Sequence, residues 1–254
     1  MLSEITPVIL TFDEAPNIGR CLERLGWARD IVVVDSGSGD ATLEICARFP
    51  QVRVFSRPFD NHAAQWNFAV HETGITGAWV LCLDADYMIP QTVAEEIDSL
   101  RPANDVSGYW LSFRYAVMGK PLRSGIYPPV LALFRRERGR HVQDGHTQRA
   151  EVEGSTARLA NPALHDDRKP LDRWVRSQIA YARLEAEKLE QHSAGLRGWL
   201  RTRTPFAPIA IGLYCLLWRG GVFEGPAGWF YAGQRCVAEG LIMASYLSRR
   251  LAAP

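Results

Sequence analysis

Four groups of polar residues in this chain follow apolar runs, and their types suit the binding of a charged, hydroxyl-rich ligand. Asp84 and Asp86 follow the run WVLCL as Asp-Ala-Asp. Residues two apart in an extended chain point to the same side, so both carboxylates can face one hard divalent cation. A cation held there can bridge a diphosphate and neutralise it as a leaving group; the bland alternative is that the pair caps the following helix. Asp35 closes a second run in VVVDSGSGD. A carboxylate at the carboxyl end of a strand, followed by glycines that let a backbone approach closely, suits the N–H of a base or the hydroxyls of a ribose. It equally suits an Asx-turn that holds the loop. The first run ends in Thr11-Phe12-Asp13-Glu14, whose acids can reach a nucleoside or favour a helix N-terminus. Gln65, Trp66 and Asn67, in DNHAAQWNFAV, can line the same cleft. The segment GSGDAT lacks the third glycine of a dinucleotide fingerprint, and no Gly-Lys-Ser/Thr phosphate loop occurs.

Such acids act together only if a scaffold brings them to one edge. Strands are expected at Pro7–Thr11, at Ile31–Val34, around Val52–Phe55 and in AWVLCLDAD. Helices are expected after Pro16, with Ile18, Leu22 and Leu25 on one face, from Asp40 as an N-cap, and over Asn61–His71. This β-α-β-α-β order predicts an open, twisted, mostly parallel α/β sheet flanked by helices, with ligands beyond the carboxyl ends of its strands. Tyr109–Val117 and Val130–Phe134 read as further strands of antiparallel type, and RRERGRHVQDGH as a polar loop. A long amphipathic helix is predicted over PLDRWVRSQIAYARLEAEKLEQHSAG, between Pro170 and Gly195.

The whole chain has 254 residues, with 29 Lys+Arg against 28 Asp+Glu, and a net charge of +1 argues against a nucleic-acid partner. Five cysteines without a C-x-x-C pair point to a reducing compartment and no structural zinc. No export signal is visible at the N-terminus. The longest apolar stretch, Pro205–Trp218, falls short of the roughly 20 residues that cross a bilayer. With its arginines it suits peripheral contact with the inner face of a membrane. Phe206, Ile209, Leu213, Leu216, Leu217 and Trp218 would form the apolar surface, and Arg197, Arg201, Arg203 and Arg219 would meet anionic headgroups. A helical cap on the α/β domain is the competing expectation, and nothing in the sequence bears on oligomeric state.

In order, LTFDEAPNIGRCLERL, IVVVDSGSGDAT, QWNFAV and WVLCLDAD resemble the inverting glycosyltransferases of family 2, with the GT-A fold. Beyond residue 100, GKPLRSGIYPPVLALFRRERG, ALHDDRKPLDRWVRSQIAYARLEAEKL and WRGGVFEGPAGWFYAG are similar to the lipopolysaccharide-core glucosyltransferase branch of that family. The resemblance implies a GT-A nucleotide-sugar-binding domain over residues 1–165 and a helical, amphipathic region over residues 166–254. It implies a UDP-sugar donor and a glycan or lipid-linked glycan acceptor. Thr11, Asp13, Glu14, Asp35, Gln65, Asn67 and Asp84 would lie at the donor, and Asp84, Asp86 and His165 at Mn2+ or Mg2+. It also implies direct displacement at the anomeric carbon, aided by a carboxylate base.

One departure bears on that base. Members of the branch usually carry Val-His-Glu after the polar loop, and the alignable residues here, counted back from EVEG, are His146, Thr147 and Gln148. Gln148 can position a hydroxyl but cannot deprotonate it. Asp144 is the nearest preceding acid, in a segment expected to bend over the cleft, with His146 as helper. Glu151 and Glu153 are expected to point outward from a strand. A non-catalytic homologue that keeps the nucleotide cleft is the alternative, and a nucleotidyltransferase, which lacks support from any Gly-rich phosphate loop here, is a third.

Overall fold

In the computed structural model the described residues are 1–144, 147–191, 198–199, 201 and 204–252. The chain forms two compact units, Met1–Arg114 with Tyr127–Arg168, and Tyr115–Ile126 with Lys169–Pro254.

The first unit begins with β1 (Ile5–Thr11), α1 (Ile18–Glu23), β2 (Ile31–Asp35), α2 (Thr42–Cys46), β3 (Val52–Ser56), α3 (His62–His71) and β4 (Trp79–Asp84). It continues with β5 (Tyr87–Met88), α4 (Gln91–Ser99) and β6 (Val106–Leu111). The chain then passes through β7 (Phe113–Val117) and β8 (Lys120–Pro121) and returns as β9 (Val130–Arg135). β10 (Gly139–Asp144), β11 (Thr147–Val152), β12 (Ser155–Arg158) and β13 (Ala163–His165) follow. Seven strands make one sheet in the order β12-β6-β9-β4-β1-β2-β3. β4, β1, β2 and β3 pair in parallel, while β9 runs antiparallel between β4 and β6. The sheet is therefore open and mostly parallel, as expected.

Burial explains the all-apolar strands. Ile31 to Val34 are fully buried because both faces of β2 are covered. One face packs on Ile18, Cys21, Leu22 and Leu25 of the α1 region, the other on Trp66, Ala69 and Val70 of α3. Asn61 caps α3 by accepting the Ala64 N–H at 2.8 Å. Asp40 stands one residue outside the cap of α2, whose N-cap is Ala41, and its carboxylate accepts the Thr42 N–H at 3.0 Å.

Two expectations change. Tyr109–Val117 divides into β6 and β7 at Ser112, and RRERGRHVQDGH is not a loop. It forms a 3-10 turn, Arg136–Arg138, and then β10, which pairs antiparallel with β11 from Gly139↔Val152 to Asp144↔Thr147. The polar residues of β10 find partners on α3, which is why a strand escapes the usual apolar alternation.

In the second unit, α5 (Leu171–Gln191) packs Ala186 and Leu189 against Tyr246 of α7 (Pro226–Ala252). α6 (Ala207–Leu213) runs into a π-turn at Tyr214–Trp218 and a 3-10 turn at Gly221–Glu224. Arg201, expected at a membrane surface, is buried instead, donating to the Glu239 carboxylate at 2.7 Å. Leu216 is half-buried against the Leu122, Cys215, Tyr231 and Ala232 cluster. Arg197 and Arg203 lie outside the described residues. Among the described residues, no helix is long and apolar enough to cross a membrane.

Candidate functional site

The loops after β1 and β2 are built as one platform. Asp35, 1% exposed, accepts the Thr11 hydroxyl at 2.8 Å, the Gly37 and Ser38 amides at 2.9 and 2.8 Å, and the Ser38 hydroxyl at 2.5 Å. Gly37 makes this turn possible with φ of +92°, a conformation costly for any residue with a Cβ. The Asx-turn alternative thus describes the contacts of Asp35, with Thr11 as its buried partner. Asp13 sits at φ of +52°, strained for a non-glycine residue. Its carboxylate accepts the Gly39 N–H at 2.7 Å, and its own N–H donates to the Ser38 hydroxyl at 2.7 Å. The Glu14 and Ala15 amides donate to Thr42 Oγ1 and Asp40, at 2.7 and 3.1 Å.

β1 aligns Leu10 with Asp84 and Thr11 with Asp35, so the acids of β2 and β4 end on the same carboxyl edge as Thr11. Asp84 is half-buried and Asp86 buried. Their charge is felt by their neighbours. Burial foremost, then Asp86 and Asp84, push the Cys21 thiol up, and burial, then Asp84, does the same to the Tyr87 phenol. β13 pairs with β5 and brings His165 opposite Tyr87, placing His165 Nε2 3.2 Å from Asp86 Oδ2. Burial, the largest influence, pulls the imidazole down, but Asp86, then Asp84 and Asp167, hold it above its ordinary value. Tyr127 packs edge-on against His165 with ring centroids 4.6 Å apart, and its hydroxyl meets that of Tyr87 at 2.6 Å.

What holds His165 in place is hard to read from local sequence. Asn17, wholly buried on entry to α1, donates to Glu14 and Asp167, both at 2.9 Å, and accepts the Arg168 N–H at 2.9 Å. Arg20 donates to the Asp166 carboxylate at 2.7 Å and to its carbonyl at 2.9 Å, and the Asp166 N–H returns to the Asp86 carbonyl at 3.0 Å. The charged run His-Asp-Asp-Arg directly after an apolar strand was the available signal. Its partners lie about 150 positions away.

Gln65 and Asn67 are engaged with the protein. Gln65, fully buried, accepts from Arg57 and donates to Ser36 Oγ and the Arg57 carbonyl, each at 3.1 Å. Asn67 exchanges two hydrogen bonds with the main chain of His141, at 2.9 and 2.8 Å, so it faces β10 instead of a cleft. Gly139 meets His71 at 3.1 Å, and Gln143 accepts the Ala63 N–H at 3.2 Å. β10 therefore runs up α3 from its C-terminus to its N-terminus and delivers Asp144 to the level at which α3 begins. α3 begins beyond the carboxyl end of β3, the edge that also carries Asp35 and Asp84. The side chain of Asp144 and all of His146 lie outside the described residues. In β11, Gln148 shares a face with Ala150 and Val152, which pack inward, while Glu151 points out to Arg149 at 2.8 Å and Arg140 at 3.4 Å. The Arg149 hydrogen bond, ahead of that from Arg140, lowers the Glu151 carboxyl below its usual range, which makes it a poorer base.

Two carboxylates and an imidazole are donors that suit a divalent cation such as Mn2+ or Mg2+, and the Asp86–His165 approach fits two of them to one ion. Among the described residues no three His, Cys, Asp or Glu side chains surround a common point.

Residues 6–147 match the model of glycosyl transferase family 2. The lipopolysaccharide core biosynthesis glycosyltransferase LpsC of Rhizobium meliloti is 27% identical over 251 residues, 90% of this chain and 88% of that protein. An uncharacterized glycosyltransferase of Rickettsia prowazekii, RP128, is 28% identical over 109 residues, 42% of this chain and 36% of its own length. Among solved structures, Staphylococcus aureus TarS 1–349 in complex with UDP-GlcNAc has a TM-score of 0.48 at 14% identity, covering 97% of this chain and 91% of that one. Glucosyl-3-phosphoglycerate synthase from Mycobacterium tuberculosis, in complex with Mn2+, UDP and phosphoglyceric acid, has a TM-score of 0.46 at 16% identity, covering 73% and 77%.

Proposed function

The chain belongs to glycosyl transferase family 2, and from that premise we propose that it moves a sugar from a UDP-sugar to a lipid-linked or lipopolysaccharide acceptor, with inversion. The observation that carries this is the acidic carboxyl edge, where Asp84 ends β4, Asp86 follows in the turn to β5 and His165 stands 3.2 Å from Asp86. The similarity to LpsC over most of both chains supports an acceptor of the lipopolysaccharide-core kind.

Asp84, Asp86 and His165 would hold the divalent cation, which when bound neutralises the diphosphate as it leaves. The platform of residues 12–14 and 36–39 would receive the nucleoside through its loop edges, because the Asp35 carboxylate is filled by its own turn. The acceptor hydroxyl must lose its proton as the new bond forms, so a base has to stand within about 3 Å of it. Asp144 would take that proton, with His146 as helper. The hairpin carries Asp144 to the edge of the sheet, which supports this assignment. Peripheral attachment to the inner membrane face would give access to a lipid-borne acceptor.

A second reading rests on Gln148, which stands where the resemblance to the branch implies a glutamate. In that case the protein binds the nucleotide sugar without transferring it. Calorimetry of UDP with and without Mn2+, on wild type, Asp84→Asn and Asp86→Asn, tests the cation. Affinity is expected to fall in both variants and without metal, and equal affinities would remove the metal role. A panel of nucleotide sugars with detection of released UDP tests transfer. Binding without turnover on any acceptor lipid would favour the non-catalytic reading.

A further inference from the structure

The second unit carries an apolar tip that its own packing leaves outside. Between α6 and α7 the chain turns through Tyr214–Trp218 and Gly221–Glu224, the latter bracketed by Gly220 and Gly225 at positive φ, +77° and +66°. On this turn Trp218 is 82% exposed and Phe223 91%. Met118, 67% exposed, stands on the tight turn between β7 and β8.

The two turns are tied into one piece. Lys120 Nζ donates to the Glu224 carbonyl at 2.7 Å. The Arg123 and Ser124 amides and the Ser124 hydroxyl all donate to the Glu224 carboxylate. Arg219 donates to the carbonyls of Arg123 and Gly125 at 3.1 and 3.2 Å, and Trp229 Nε1–H to the Val222 carbonyl at 3.2 Å. Leu122, Cys215, Tyr231 and Ala232 form a core beneath. The tip is thus held by a hydrogen-bonded frame, and its large side chains point away from the core that lies under them.

Charge identifies the partner. Between residues 204 and 252 the acids are Glu224 and Glu239. Glu224 is consumed by three donors of residues 123–124, and Glu239 by buried Arg201. Exposed Lys120, Arg123 and Arg219 then collar an apolar tip that presents no free acid. Trp and Phe prefer the boundary between headgroups and acyl chains, and a cationic collar attracts lipid phosphates.

We propose that Met118, Trp218, Val222 and Phe223 form a rigid wedge that enters the headgroup layer of an anionic bilayer, with Lys120, Arg123 and Arg219 against the lipid phosphates. This rests on the membrane reading above; it keeps Trp218 and Arg219 of the surface expected from sequence and replaces the rest of that surface with Val222 and Phe223 of the same turn and with Met118, Lys120 and Arg123 of the β7–β8 hairpin and the chain after it.

The test is flotation of the full chain with vesicles of phosphatidylcholine alone or with roughly one-third phosphatidylglycerol. Trp218→Ser and Phe223→Ser are each expected to lower partitioning about tenfold, with near-UV circular dichroism unchanged. Ile209→Ser, on α6, leaves it as it is. Arg123→Glu abolishes the preference for anionic vesicles. If the wild type binds no vesicles, the membrane reading and the wedge fall together. If it binds and the tip variants bind equally well, the wedge alone is overturned. Sedimentation showing a dimer that Phe223→Ser dissociates, without any change in flotation, would make a second copy the occupant and also overturn it.

Discussion

His141 stores a pH dependence in the hairpin that delivers Asp144. Its imidazole is 6% exposed, stacked on Trp66 with ring centroids 5.3 Å apart and planes at 19°, and close to the ring of Phe134. Burial first, and His71 second, lower its pKa from 6.5 to about 4. The folded protein therefore refuses a proton that the unfolded chain accepts below about pH 6.5. The stability tied to neutral His141 is complete above that pH and is lost as pH falls towards 4. At about 1.4 kcal/mol per pH unit, acidification from pH 7.5 to pH 5 costs about 2 kcal/mol, rising to roughly 3 kcal/mol below pH 4. Phenylalanine at this position keeps the stack and cannot titrate. Urea unfolding of wild type and His141→Phe across this range isolates the effect, because the carboxylates common to both cancel in the difference. The variant is expected to gain about 2 kcal/mol on the wild type between pH 7.5 and pH 5. A difference that stays constant with pH, or a ring proton resonance of His141 that titrates near 6.5, would refute the argument.

Asp35→Ala strips one acceptor from four buried or half-buried donors and is expected to destabilise the protein by about 3–5 kcal/mol, read as a lowered thermal midpoint. An unchanged midpoint with weakened UDP binding would instead make it a nucleoside contact. Asn67→Ala removes both hydrogen bonds to the His141 main chain, so amide exchange in β10 should accelerate at least about tenfold while UDP affinity holds; unchanged protection would show that the strand does not need this clamp. Asp144→Asn should lower turnover about a hundredfold with donor affinity retained. Wild-type turnover in that variant, with a large gain in Gln148→Glu, would sink the assignment of Asp144.

The parallel half of the sheet was legible because Val32, Val33 and Leu81 lie in unbroken apolar runs that only a two-sided burial explains. The acids of the edge were legible because each follows such a run. β10 was not, because the position it buries against Trp66 and Phe134 is His141 instead of an apolar residue, and its bonds to α3 run through the His141 main chain and the Gln143 amide. α4 escaped for a related reason, since Val93, Ala94 and Ile97 are its only buried positions within a run of acids. The cradle beneath His165 joins Asn17 and Arg20 to residues 166–168, and a pairing across some 150 positions leaves no local pattern to read. Membrane-facing arginines were misjudged at Arg201 because its partner, Glu239, lies 38 positions away.

The second unit borrows residues 115–126 from the middle of the first, and this has a consequence in time. Glu224 lies 100 positions after the Ser124 amide and hydroxyl that it accepts. At about 5–20 residues per second, a ribosome takes roughly 5–20 s to cover that interval. During it, Leu122 and its neighbours wait without the Cys215, Tyr231 and Ala232 they will be buried against. β1 to β4 can already pair in that interval, so the nascent chain carries a formed sheet with an exposed hairpin beside it. A chain ended at residue 168 would remain in that state, and residues 169–254 made alone would lack the donors that Glu224 is shaped to receive.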